Sequence, residues 1–165
     1  MVEMELVGVR VELPTNVPIV LLRETGGDRR VLPIFIGSPE ATAIAFALEQ
    51  VETPRPMTHD LMKVLLDELG VQLERVVVTE LRDSTFYAEL HLKQNGRNHT
   101  VSSRPSDAIA LAARTQTPIF AEESVLAEAA YPAEVEQEGE GEEQEEVVEQ
   151  FREFIEHVNP EDFSQ

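Results

Sequence analysis

Two adjacent residues, Asn95-Gly96, constrain this chain more than any other feature. They follow a segment, Thr85 to Lys93, in which Phe86, Ala88, Leu90 and Leu92 alternate with Tyr87, Glu89, His91 and Lys93. A side-chain period of two belongs to a strand with one face on a core and the other in water. Asn-Gly accepts positive φ at both central positions of a type I′ turn, so it predicts a two-residue hairpin loop. In that register Leu90 falls opposite Val101 and His91 opposite Thr100, apolar against apolar and polar against polar. A chain with this hairpin contains an antiparallel sheet.

The other elements are read around it. Val7, Val9, Val11 and Leu13 alternate with Gly8, Arg10 and Glu12 up to Pro14, and predict a half-buried strand. The runs Ile19 to Leu22 and Arg30 to Ile36 flank Thr25-Gly26-Gly27-Asp28, a second hairpin signal. Val76 to Leu81 predicts a further strand, and Ile119 to Ala121 a short extended piece after Pro118. Ser38-Pro39-Glu40 is a helix start, with proline and an acid in the first turn. The segment it opens, Ala41 to Leu48, is apolar almost all round, which predicts burial on more than one side, in the domain or at a subunit interface. Thr58 is expected to cap a second helix whose stripe is Leu61, Met62, Leu65, Leu66 and Leu69, closed by Gly70. A third helix starts around Ser103-Arg104-Pro105-Ser106-Asp107 and runs to about Arg114, and Glu122 to Ala130 forms a fourth. The expected fold is α+β: a mixed, mostly antiparallel sheet with three to four helices packed on it, over residues 1–132.

Charge divides the chain. Residues 1–132 carry 12 Lys/Arg against 19 Asp/Glu, a net of −7, while residues 133–165 carry one Arg against 13 acids, a net of −12. Residues 133–146 collapse to Glu, Gln and Gly and are expected to be a disordered acidic linker. Val147, Phe151, Phe154 and Val158 then recur at helical spacing, which predicts an amphipathic helix over 147–158 that docks on this domain, its dimer mate or a separate protein partner. With no cysteine there is neither a disulfide framework nor a thiolate metal site. No apolar run is long enough to cross a bilayer and Met1 to Val11 lacks a secretory pattern, so a cytoplasmic protein without a membrane partner is expected. No Lys/Arg cluster supplies the footprint of tight phosphate-backbone binding.

Three polar clusters are candidates for chemistry. In Arg55-Pro56-Met57-Thr58-His59-Asp60, a His beside an Asp at a helix start can bind a metal or move a proton, or the residues can be caps with a solvated neighbour. In Ser103-Arg104-Pro105-Ser106-Asp107, oxygens can hold a cation and Arg104 at a helix N-terminus a phosphate, or an Arg–Asp pair can simply order the turn. Glu49 and Glu52 sit near the negative end of a helix, where an acid calls for a partner such as Arg55 or for a metal.

The blocks Leu32-Pro33-Ile34-Phe35-Ile36-Gly37 with Glu40-Ala41, Pro54-Arg55-Pro56-Met57-Thr58-His59-Asp60-Leu61, and Ser103 to Ala112 together resemble the bifunctional nuclease family, over roughly residues 1–130. The resemblance implies a compact α+β fold, a homodimer, and activity on both DNA and RNA. It supplies no set of catalytic residues. With the carboxylates at helix starts, it leads to the expectation of a nuclease assisted by a divalent cation, Mg²⁺ or Mn²⁺. The site expected is Glu40, His59, Asp60, Arg104 and Asp107: Asp60 and Asp107 as metal ligands, His59 for proton transfer, Arg104 for phosphate. The competing expectation is a non-catalytic binding or regulatory module in which the same blocks are structural.

Overall fold

A computed structural model describes residues 1–133 of the chain's 165. The linker expected over 133–146, Ala133 apart, and the helix expected over 147–158 lie outside the described residues. The strands are β1 (Val2–Glu12), β2 (Val17–Glu24), β3 (Val31–Phe35), β4 (Gln72–Arg82), β5 (Thr85–Gln94), β6 (Arg97–Ser103) and β7 (Ile119–Ala121). The helices are α1 (Ser38–Leu48), α2 (Thr58–Glu68), α3 (Pro105–Thr115) and α4 (Glu123–Ala129). This is the expected α+β class, with one mixed, mostly antiparallel sheet of order β3-β2-β1-β7-β4-β5-β6.

The hairpin signals are met closely, whereas the cap of α2 is Met57 and Thr58 is its first helical residue. Leu90 pairs with Val101 and His91 with Thr100 across β5 and β6, and Asn95 and Gly96 both take positive φ, 49° and 76°. The Gly-Gly hairpin pairs β2 with β3 through Val20↔Ile34 and Leu22↔Leu32. β7 has the least local signal and the most connected place. It pairs antiparallel with β1 through Met4↔Ile119 and parallel with β4 through Val76↔Ile119, joining two antiparallel halves into one sheet.

Alternation places Val20 and Leu22 of β2, Leu32 and Ile34 of β3, Val76 and Val78 of β4, and Ala88 and Leu90 of β5 against the helices. The core also takes Ile44 from α1, Ala108 to Ala112 from α3, and Val125 and Leu126 from α4. Each large side chain fully buried there contributes roughly 1.5–3 kcal/mol. α3 contacts both α1 and α2, and it is the helix buried nearly all round.

Three expectations change. The apolar surface of α1 does not await a second subunit: Ala41, Ile44, Ala45 and Phe46 are buried within the domain, where α1 meets α3, β1 and β2. The stripe on α2 is split instead. Met62 and Leu66 pack on the core, while Leu61, Val64, Leu65 and Leu69 face outward. Glu49 is exposed at the α1 C-cap and no ion pair joins it to Arg55 among the described residues; an exposed carboxylate does not carry the desolvation cost that a half-buried one would need a partner to offset.

Candidate functional site

Three helices begin close together, and the residues that open them are joined by hydrogen bonds. Gly37 precedes α1 as its N-cap, and Glu40 lies in the first turn. A Cβ on Gly37 would overlap Glu40 Oε2, so the absence of a side chain there is what lets the Glu40 carboxylate fold back over its own N-terminus. Arg104 is the N-cap of α3 and Asp107 stands in that helix's first turn. Arg104 Nε donates to Asp107 Oδ2 at 2.6 Å and Nη2 to Asp107 Oδ1 at 3.0 Å, a bidentate pair. The same Nη2 donates to Glu40 Oε1 at 2.9 Å, bridging 64 residues of sequence. His59, in the first turn of α2, places Nε2 2.9 Å from Asp107 Oδ1. A four-member chain, Glu40–Arg104–Asp107–His59, therefore ties the starts of α1, α3 and α2.

Its electrostatics run two ways. Two carboxylates and one guanidinium leave a formal charge of −1 with His59 neutral. The partial positive ends of three helices converge on the same place and favour an anion. Burial pushes Asp107 upward, but hydrogen bonds from Arg104 and His59, reinforced by their charges, outweigh it and hold the carboxyl below its ordinary value. The bonds to Asp107 and then Glu40 raise Arg104 above its ordinary value. His59 is 7 % exposed, whereas the Arg104 side chain is 65 % exposed and its Nη1 has no acceptor among the described residues.

Asp60, expected beside Asp107, is held elsewhere. Its Oδ2 accepts from the Met57 N–H at 2.9 Å, half of a capping arrangement. Its Oδ1 accepts from Arg114 Nε at 2.6 Å, and Arg114 Nη1 donates to the Ala110 carbonyl at 2.8 Å. The Arg114 side chain is 7 % exposed, so this pair clamps α2 to α3. Arg114 carries no signal in the sequence for this part, because its partner lies 54 residues away. Asp60 and Asp107 thus each have both oxygens engaged by cationic or N–H donors, and do not form a metal cage. Among the described residues, no group of three or more His, Asp or Glu side chains is placed to hold a metal ion.

An Arg between two acids is not by itself functional. Arg30 pairs with Glu24 at 3.0 Å and with Glu123 at 2.8 Å, fastening the β2–β3 hairpin to α4. The Arg104 group differs in standing at three helix starts beside a cavity of about 370 Å³ that Arg104 itself lines.

The three blocks quoted from the sequence thus carry the described cluster. Residues 20–134 match the bifunctional nuclease domain, and the chain belongs to that family. It is 48% identical over 163 residues, 98% of this chain and 97% of the relative, to an uncharacterized protein of Mycobacterium tuberculosis. It is 32% identical over 104 residues to bifunctional nuclease 1 of Oryza sativa subsp. japonica, 61% of this chain and 31% of that protein. Bifunctional nuclease 1 of Arabidopsis thaliana is 30% identical over 105 residues, 62% of this chain and 32% of the plant protein. The chain thus spans about a third of the plant relatives' length. No helix among the described residues is long and apolar enough to cross a membrane.

Proposed function

We propose that the protein is a nuclease that hydrolyses phosphodiester bonds of DNA and RNA at the Glu40–Arg104–Asp107–His59 cluster. The observation that carries the reading is the convergence of three helix N-termini on an exposed guanidinium with one nitrogen unengaged. Nη1 of Arg104 and the helix ends would grip a non-bridging phosphate oxygen. Asp107 and Glu40 fix the guanidinium plane, so that little order is lost when substrate arrives. His59 would exchange a proton at one nitrogen while the other stays bonded to Asp107, accepting from the attacking water as the bond from phosphorus to the leaving oxygen breaks.

The cluster's formal −1 opposes an incoming phosphodiester, and this motivates a divalent cation. The protein residues do not fit a preformed cage for it, so Mg²⁺ or Mn²⁺ would arrive held chiefly by substrate phosphates. Purified protein should cut RNA or DNA with either ion, and Asp107→Ala should abolish cutting. Cleavage that survives the substitution, or that separates from the protein on a second column, would sink the reading.

One observation favours the alternative, a non-catalytic binding or regulatory module: Asp107 is already closed bidentately by Arg104. Nucleic-acid binding without turnover would support that reading. We also propose a homodimer, now on the outward stripe Leu61, Val64, Leu65 and Leu69 of α2, and an intracellular setting consistent with a cysteine-free chain. The acidic C-terminal sequence is, in this reading, a tether for a protein partner, tested by loss of that partner from pull-downs when residues 133–165 are deleted.

A further inference from the structure

The cavity beside the cluster has features that phosphate binding alone does not use. Phe35, the last residue of β3, stands on its rim and is 58 % exposed. Phe86, near the start of β5, lines it together with Ile36 and Gly37. Ser106, the second residue of α3, lines it too, yet is only 6 % exposed. No acceptor or donor meets the Ser106 hydroxyl among the described residues. The hydroxyl lines the cavity and no hydrogen bond of the fold uses it, so it is free to donate to, or accept from, a ligand seated there. Its backbone N–H is also one of those that a helix start leaves without an intrahelical carbonyl.

We propose that this cavity seats one unpaired nucleotide, its base against Phe35 and Phe86, with Ser106 and Arg104 on the sugar-phosphate side. The inference rests on the nuclease reading above and adds the substrate class: single-stranded or frayed nucleic acid in preference to duplex. Three physical points lead there. A volume of about 370 Å³ lies at the small end of ligand pockets, enough for one nucleotide and not for a double helix. Inside a duplex both faces of a base are covered by its neighbours, so Phe35 can reach only a base that is out of the stack. The domain's net charge of −7 denies it the long basic track that duplex binding uses, whereas stacking needs none.

The test uses the full chain, a labelled eight-nucleotide phosphorothioate strand, the same strand in a duplex, and inorganic phosphate as competitor. Anisotropy should show at least tenfold tighter binding of the single strand. Phe35→Ala should weaken it by about 5- to 150-fold, the range for loss of one base–aromatic stack, and leave duplex binding and phosphate competition unchanged. Phe35→Trp should retain single-strand binding. Ser106→Ala should weaken binding about tenfold while leaving the melting temperature unchanged, because no hydrogen bond within the fold uses the hydroxyl. Equal affinity for strand and duplex, or a Phe35→Ala protein that binds the strand like wild type, overturns the proposal while the nuclease reading stands. A Phe35→Ala protein with half the wild-type mass in light scattering also overturns it, by assigning Phe35 to a subunit contact. Wild-type protein that binds neither strand nor duplex would remove both the proposal and the reading beneath it.

Discussion

Asp107→Asn isolates what the central carboxylate contributes. The carboxylate accepts three hydrogen bonds, two from Arg104 and one from His59, and its side chain is 24 % exposed. An amide keeps the shape but has one acceptor oxygen, and turns an N–H₂ toward donors. Arg104 is mostly exposed and regains water, so its lost bonds count only at about the surface value, ~0.5–1 kcal/mol. His59 Nε2 faces into the cluster and cannot, and a buried donor left unpaired costs about 1–3 kcal/mol. The expected loss is about 2–3 kcal/mol in urea unfolding at pH 7. For a domain of this size that is on the order of 10 °C in melting temperature. The pH dependence has a definite sign. Asp107 is held below its ordinary value in the folded state, so its contribution is fully present above the unfolded value of about 4 and is lost as pH falls through the folded one. The gap between wild type and Asp107→Asn should therefore be constant from about pH 7 down to about pH 5 and close below about pH 4. A gap under about 0.5 kcal/mol at pH 7, or one that persists undiminished at the lowest pH where both proteins fold, would refute the reasoning.

Arg114→Met cuts the clamp between α2 and α3 and leaves Asp60 short of a cation; with Asp60 partly solvated, urea unfolding should show a loss of about 2–3 kcal/mol. Gly37→Ala places a methyl group where the Glu40 carboxylate rests, so Glu40 should leave Arg104 for solvent; stability should change by less than about 1 kcal/mol while cleavage falls about 10- to 100-fold. Leu65→Glu on the outward face of α2 should shift the light-scattering mass from twice the chain's 18.5 kDa to that value, and a wild-type chain already at 18.5 kDa would refute the dimer. Chelation should abolish cleavage yet leave the melting temperature unchanged, because the cation travels with substrate and is not part of the fold; a large thermal shift on chelation would point to a resident metal.

The sequence alone determined what depends on neighbours a few residues apart. Alternation in Thr85 to Lys93 and the Asn95-Gly96 turn specified the β5–β6 register, because a two-residue loop admits one pairing and a slip by one would turn Leu90 to water. The same locality located the helix starts at Ser38, Thr58 and Pro105, which is why Glu40, His59, Arg104 and Asp107 were candidates before any contact was known. Burial is less local, because it depends on which elements pack together. The apolar α1 could have been covered within the domain or by a partner, and α3 and the sheet cover it; the leucines of α2 looked like one stripe, but the helix's place beside α3 half-buries Met62 and Leu66 and turns Leu61, Leu65 and Leu69 out. Only the tertiary structure decided that the three-residue β7 would sit mid-sheet, since its pairing with β1 spans nearly the whole described chain. It also decided which acid meets which base. Asp60 and Asp107 are equivalent in sequence terms, each an acid in a helix's first turn. Packing sends Asp60 to Arg114, 54 residues on, and joins His59 to Asp107 across 48. Contacts at such separations are chosen by the whole fold, because the cost of closing a long loop rises only slowly with its length and local sequence cannot rank one distant partner above another.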